Sequence, residues 1–173
     1  VIKRVVEECE ICQRFKRSNQ LFHTLSTTIA DGPWELLQID LATSLPTSTS
    51  GNNYLLIVVD TFSRFVVLHA LPDKSATSTA QALLKTIASY GLPESIQTDE
   101  GKEFHNTLWR DIFAALHMQH REPSAYTSRQ QGAAERNVQI VVDAVRMELD
   151  GANTSWDVVL PSVQSVSYTH LRA

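Results

Sequence analysis

The sequence predicts an α/β fold, a five-stranded mixed sheet flanked by helices. Three observations carry that expectation. Three β-rich runs follow one another early in the chain. The apolar spacing then changes from strand-like to helical. Beyond that point short strand candidates alternate with helices. The three early runs, joined by short turns, should form an antiparallel meander.

The first run is PWELLQIDLATSLP, where Leu37, Ile39 and Leu41 alternate with polar Gln38 and Asp40. TSLPTSTSGNN is turn material. YLLIVVD is continuously apolar and rich in β-branched residues, the signature of a strand buried on both faces. RFVVLHALP reads as the third strand. Ala80, Leu83, Leu84, Ile87 and Ala88 then fall at helical spacing, with Ser75 or Thr77 as cap and Gly91 and Pro93 as stop. SIQTD is short enough for a parallel strand. Leu108, Ile112, Phe113 and Leu116 mark a second helix behind Asn106 as cap. MQHRE reads as a fifth strand. Ala134, Val138, Val141, Val142, Val145 and Leu149 give a long amphipathic helix that Gly151 and Asn153 end.

Residues 34–166 therefore read as one core. Residues 1–17 (VIKRVVEECEICQRFKR) form a short stub, and 18–33 a linker that ends in Gly-Pro. Residues 167–173, after Val166, carry no pattern to which structure can be assigned, and read as a tail foreign to the core. A length of 173 residues suits a single domain. No run approaches the roughly 18 apolar residues of a membrane span, so no membrane partner is expected. The opening Val-Ile-Lys-Arg does not read as a signal peptide, and Val1 in place of an initiator Met suggests a piece of a longer chain. Two cysteines at C-x-x-C spacing point to metal or redox chemistry rather than a disulfide scaffold. The net charge of −4 argues against a strongly basic nucleic-acid binder.

Three carboxylates stand where chemistry would want them. Asp40 interrupts the first strand, Asp99 ends a short strand before Gly101, and Glu135 begins the long helix beside its apolar stripe. Each has an ordinary explanation alone: a hydrogen-bonded strand residue, a turn residue, a charge complementing a helix N-terminus. Together they would repel one another, and a divalent cation removes that repulsion. Mg²⁺ favours such oxygen ligands. Asp60 rivals Asp40 as the first of the set, but reads better as a strand end that builds a turn with Thr61 and Ser63.

The order WELLQID, QTDEGKEF, YTSRQQGAAER resembles the integrase catalytic core of gypsy-type LTR retrotransposons and retroviruses. That family carries two aspartates, then a glutamate about 35 residues after the second; 35 residues lie between Asp99 and Glu135. Trp34 and Gln38 before Asp40, YLLIVVDTFSRFV and GLPESIQTDEGKEF agree with the same family. The resemblance covers about residues 5–165. Two departures stand out: Glu100 follows the second aspartate, and Ser128 and Arg129 replace the family's usual Pro-Gln after Tyr126.

The resemblance implies an RNase H-like fold and a polynucleotidyl transferase. Asp40, Asp99 and Glu135 would be the catalytic residues and ligands of two Mg²⁺ or Mn²⁺ ions about 3.5–4 Å apart. Water would cut near the element's 3′ end, and the freed 3′-hydroxyl would attack a target phosphodiester. Partners would be the element's DNA ends, target DNA and further copies of the chain. The place of action would be the nucleus, after a cytoplasmic particle. Cys9 and Cys12 resemble the last two ligands of the family's His-His-Cys-Cys zinc module. Its histidines would lie upstream of Val1, so a partial Zn²⁺ site is implied. The alternatives are an inactive or domesticated integrase-like module that binds nucleic acid or protein, and an RNase H-like nuclease that cuts without joining.

Other side chains divide the same way. Arg129, Arg136, Gln139 and Arg146 either follow a DNA backbone or cover a solvated helix face. His105 reads as padding at a helix start, with contact to DNA or metal-bound water as the alternative. His69, His117, His120 and His170 show no ligand spacing. Trp109 reads as core or an interface anchor rather than a base-stacking platform.

Overall fold

The computed structural model describes residues 30–43, 45–99, 101–121, 139–147 and 155–170. The expectations for the 1–17 stub, Cys9, Cys12, most of the linker, Glu100, Arg129, Glu135 and Arg136 lie outside the described residues.

The strands are β1 (Leu36–Ala42), β2 (Tyr54–Asp60), β3 (Val66–Leu71), β4 (Ser95–Thr98) and β5 (Gln119–Arg121). They form one sheet in the order β3-β2-β1-β4-β5. The three β-rich runs make the antiparallel meander, and β4 and β5 add in parallel on the other side of β1. Parallel neighbours need a crossover, and helices supply it. α1 (Ala76–Tyr90) joins β3 to β4, and α2 (Thr107–Ala115) joins β4 to β5. The chain is helical again over 139–147 (α3) and over Leu160–His170 (α4).

Side chains of a strand alternate between faces. In β2, Leu56 and Val58 join a core with Leu37, Ile39 and Ile96, closed by Leu83 of α1 and Trp109 and Phe113 of α2. Leu55, Ile57 and Val59 point the other way, into a core with Val141, Val142 and Val145 of α3, Trp156, and Leu160 and Val163 of α4. This is why β2 is apolar without alternation: both its faces are covered. Among the described residues no helix is long and apolar enough to cross a membrane.

Helix ends follow the capping rules. Ser75 caps α1, its Oγ accepting from Ser78 N at 3.2 Å. Gly91, at φ 97°, ends α1 with its N–H on Ile87 O at 2.8 Å; that left-handed backbone favours glycine. Asn106 caps α2 by accepting from Trp109 N at 3.2 Å.

Three expectations need correction. Leu84 is exposed and Ala88 is too; α1 instead buries Thr79, Ala80, Ala82, Leu83 and Thr86. The threonines can be buried because their hydroxyls reach backbone carbonyls one turn back, Thr79 to Ser75 and Thr86 to Ala82, both at 3.1 Å. Small residues on that face let α1 sit close to the sheet. In α2 Leu108 is exposed, and Trp109 takes the buried position assigned to it. Finally, the chain stays helical past Val166 to His170. Leu160 and Val163 anchor α4 in the core, and a nucleated helix propagates cheaply.

A polar clasp joins the β1–β2 loop to the start of α4. Ser48 Oγ and Asn52 Nδ2 donate to Asp157 Oδ2 at 2.9 and 2.8 Å, and Trp156 Nε1 donates to Pro46 O at 2.6 Å. Desolvation alone would raise the Asp157 carboxyl. Hydrogen bonds from Ser50, Asn52 and Ser48 outweigh it and hold the group below the ordinary aspartate range. A depressed folded-state pKa stabilises the fold above the unfolded value near 3.9, and that contribution disappears as pH falls through the folded value. Asp157→Ala should therefore lower the melting temperature at pH 6–7, and the gap to the wild type should close under acid. A gap that is constant down to about pH 2 would contradict this linkage.

Candidate active site

Asp40 lies in β1, the central strand, and Asp99 directly follows β4. The parallel register pairs Leu36 with Ser95, Leu37 with Ile96, Gln38 with Gln97 and Ile39 with Thr98. The pairing ends there, and Asp40 and Asp99 are the residues that follow its last pair. Asp40 is half-buried and Asp99 exposed. Alternation puts Asp40 on the same face as Ala42, whose core includes the three valines of α3. Glu135 lies outside the described residues, four positions before 139 in the sequence.

Local bonds aim the two carboxylates. Asp40 Oδ1 accepts from Leu41 N at 2.7 Å, and Asp99 Oδ1 accepts from Gly101 N at 3.1 Å. Gly101 is small for a reason. A Cβ there would lie 2.9 Å from Asp99 Oδ1 and 2.8 Å from Glu103 Cδ. Gly101→Ala should therefore displace the Asp99 carboxylate. Displacements of about 1 Å can cost up to about a hundredfold in rate. We expect a loss of tens of fold in a DNA-strand-transfer assay with little change in melting temperature. Full activity in that variant would show that Asp99 has no fixed position to lose.

The donor type suits a hard divalent cation: carboxylate oxygens, one of them on the exposed Asp99. Among the described residues no group of three His, Cys, Asp or Glu gathers to hold a metal.

Asp60 is spent elsewhere. It is buried and accepts from Trp34 N at 3.2 Å, Phe62 N at 3.3 Å and Ser63 N at 3.2 Å, and also from the Ser63 hydroxyl. It builds the β2–β3 turn, as its sequence context implies.

Gln139 and Arg146 both turn toward Asp143. Gln139 Nε2 donates to Asp143 Oδ1 at 2.7 Å, and the Arg146 guanidinium lies 3.5 Å from the same oxygen. Asp143 was not singled out by sequence reasoning, although its spacing of four and three residues from these partners was the available signal. His105 Nδ1 lies 3.1 Å from Gly101 O and closes the turn before α2. His120 Nε2 lies 2.9 Å from Thr98 Oγ1 and its ring stacks on Phe113. His69 is half-buried against Thr86; burial, then Lys85, lowers its pKa from the usual histidine value. Trp109 is fully buried, its Nε1 donating to Thr79 Oγ1 at 3.2 Å.

Comparisons with known proteins agree with this geometry. The family model "Integrase core domain" matches residues 30–128, a span that includes Asp40 and Asp99. The chain is 30% identical over 160 residues, 90% of its length, to the transposon Tf2-3 polyprotein of Schizosaccharomyces pombe. It is 27% identical over 137 residues to protein K02A2.6 of Caenorhabditis elegans. It spans only 12% and 10% of those two relatives. Among solved structures, the HTLV-2 integrase catalytic core domain, in complex with magnesium in a trimeric form, superposes with TM-score 0.63 at 23% identity. That match covers 76% of this chain and 83% of that one. The catalytic core domain of BIV integrase gives TM-score 0.59 at 19% identity, covering 80% and 83%. The fold is thus shared with retroviral integrase cores, and the chain belongs to the integrase core domain family of retrotransposon polyproteins and retroviral integrases.

Proposed function

We propose that this chain is the catalytic core of a polynucleotidyl transferase that processes the 3′ ends of element DNA and joins them to target DNA. The observation that supports this reading is the parallel β1–β4 pairing, whose last pair, Ile39 and Thr98, directly precedes Asp40 and Asp99 in the two segments. Family membership and the 35-residue interval to Glu135 support the third ligand.

Asp40, Asp99 and Glu135 would hold two divalent cations, Mg²⁺ or Mn²⁺. Bound there, such ions stabilise the attacking and leaving oxygens of an in-line phosphoryl transfer. The chain's own contribution is position. The β1–β4 pairing would set the spacing of two carboxylates just beyond its end, the Gly101 N–H bonds one of them, and the buried valines of α3 pack that helix on the sheet. No covalent enzyme intermediate is required, since one phosphodiester replaces another.

Arg129, Arg136, Gln139 and Arg146 are the proposed DNA-backbone contacts. Arg146 and Gln139 would exchange Asp143 for phosphate. The partners are element ends, target DNA and further copies of the chain, acting in the nucleus. The net charge of −4 suits a core whose DNA affinity comes largely from other parts of a longer protein.

Product analysis on a branched DNA substrate with Mn²⁺ tests the reaction class. Joined strands are the expected product. Cut strands alone would replace the transferase reading with that of a nuclease. A folded chain without either product would favour the inactive binding module.

A further inference from the structure

On the face of the sheet covered by α1 and α2, α2 and the edge strand β5 flank an open groove of about 750 Å³. Arg110, His105, His117 and His120 line it, and no carboxylate does so among the described residues. In a chain of net charge −4 with its histidines neutral, Arg110 gives this groove a positive charge. The groove is also flat-sided. The His120 ring stacks on Phe113 at 4.6 Å and 15°, and the His105 ring lies 5.4 Å from His120.

Two features of α2 aim the basic groups. Arg110 lies in α2 and His117 just past its end, and both line the groove. His117 then adopts φ 53° just beyond the helix C-cap Leu116, a position that glycine or asparagine usually takes. A strained backbone is thus kept at the residue that places an imidazole at the groove.

The chemistry narrows the ligand. Arg110 offers a forked donor that matches a phosphate. Imidazole faces offer a surface for a planar ring. A metal ion fits poorly, because no three His, Cys, Asp or Glu converge among the described residues. An acidic peptide would use the charge but not the rings.

We propose that this groove is a nucleotide subsite for single-stranded nucleic acid, which seats one unstacked base against the imidazoles and its phosphate on Arg110 and His117. The subsite stands on its own residues and does not depend on the three carboxylates.

The test is fluorescence anisotropy of a labelled ten-nucleotide oligothymidylate on the whole chain, in EDTA. Arg110→Ala and His117→Asn are the variants, asparagine being chosen because it tolerates the left-handed backbone. Lys74→Ala, exposed and not among the residues that line the groove, controls for lost charge. Each groove variant should weaken binding about tenfold, the effect of one stacked base or one paired phosphate, while Lys74→Ala stays within about twofold. An abasic decamer of equal charge should also bind the wild type about tenfold more weakly. Unchanged affinity in both groove variants would overturn the proposal. So would equal binding of the abasic strand, which would mark a plain anion site, or equal competition by polyglutamate, which would mark a peptide groove. Because EDTA removes divalent cations, a chain that binds the oligonucleotide but joins no DNA would contradict the transferase reading and leave this one intact. A chain that joins DNA without the groove effects would do the reverse.

Discussion

Asp40→Asn and Asp99→Asn are each expected to lower cation-dependent strand transfer by about three orders of magnitude or more, with the fold retained. The reasoning is electrostatic. Asp40 and Asp99 directly follow the paired Ile39 and Thr98, and in the proposed site their like charges would repel and a divalent cation would offset the repulsion. Asparagine keeps the shape of aspartate and removes the charge, so packing survives while the cation loses a ligand. Asp60→Asn provides the contrast. Asp60 takes its hydrogen bonds from Trp34, Phe62 and Ser63 within the β2–β3 turn, so its loss should appear as lower stability rather than as a specific loss of chemistry. Melting curves beside single-turnover rates separate the two behaviours. Strong residual transfer in either Asp40→Asn or Asp99→Asn would remove that residue from the site.

Trp109→Ala is expected to cost about 3–5 kcal/mol, the range for truncating a buried large aromatic side chain. Trp109 is fully buried in the core beneath α1 and α2. Its ring meets Phe104 edge-on at 5.2 Å and Phe113 at 5.5 Å, and its Nε1 donates to Thr79, so truncation also removes a buried hydrogen bond. That loss is a large share of the stability of a domain this size. Leu108→Ala, one residue earlier and exposed, should stay within about 0.5 kcal/mol. Denaturant unfolding of both variants measures the difference. Similar midpoints for the two would mean that α2 does not pack through Trp109.

Much of this fold was legible from local pattern. β1 announced itself by alternation, β2 by a continuous apolar run that only two covered faces explain, and the caps Ser75 and Asn106 by their chemistry. Helix rotation was less legible. Counting apolar residues favoured Leu84 and Leu108, whereas burial went to Thr79, Thr86 and Trp109, because satisfied hydroxyls and an indole N–H with a partner can enter a core. α4 was missed because LPSVQSVSYTH is rich in serine and threonine, and its Leu160 and Val163 find their partners far back in the chain, among them Leu55 and Ile57. The carboxylate pair was visible only through the resemblance. Neither Asp40 nor Asp99 is unusual alone, and the β1–β4 pairing that ends just before them is a long-range property that no local pattern announces.

The central claim is that Glu135 completes a site with Asp40 and Asp99. The measurement that tests it most directly is a Mn²⁺-dependent disintegration assay on branched DNA, run on the wild type and on Glu135→Gln side by side. Reversal of joining in the wild type, lost in Glu135→Gln with an unchanged melting curve, is the predicted result. Equal disintegration by both proteins would contradict the account.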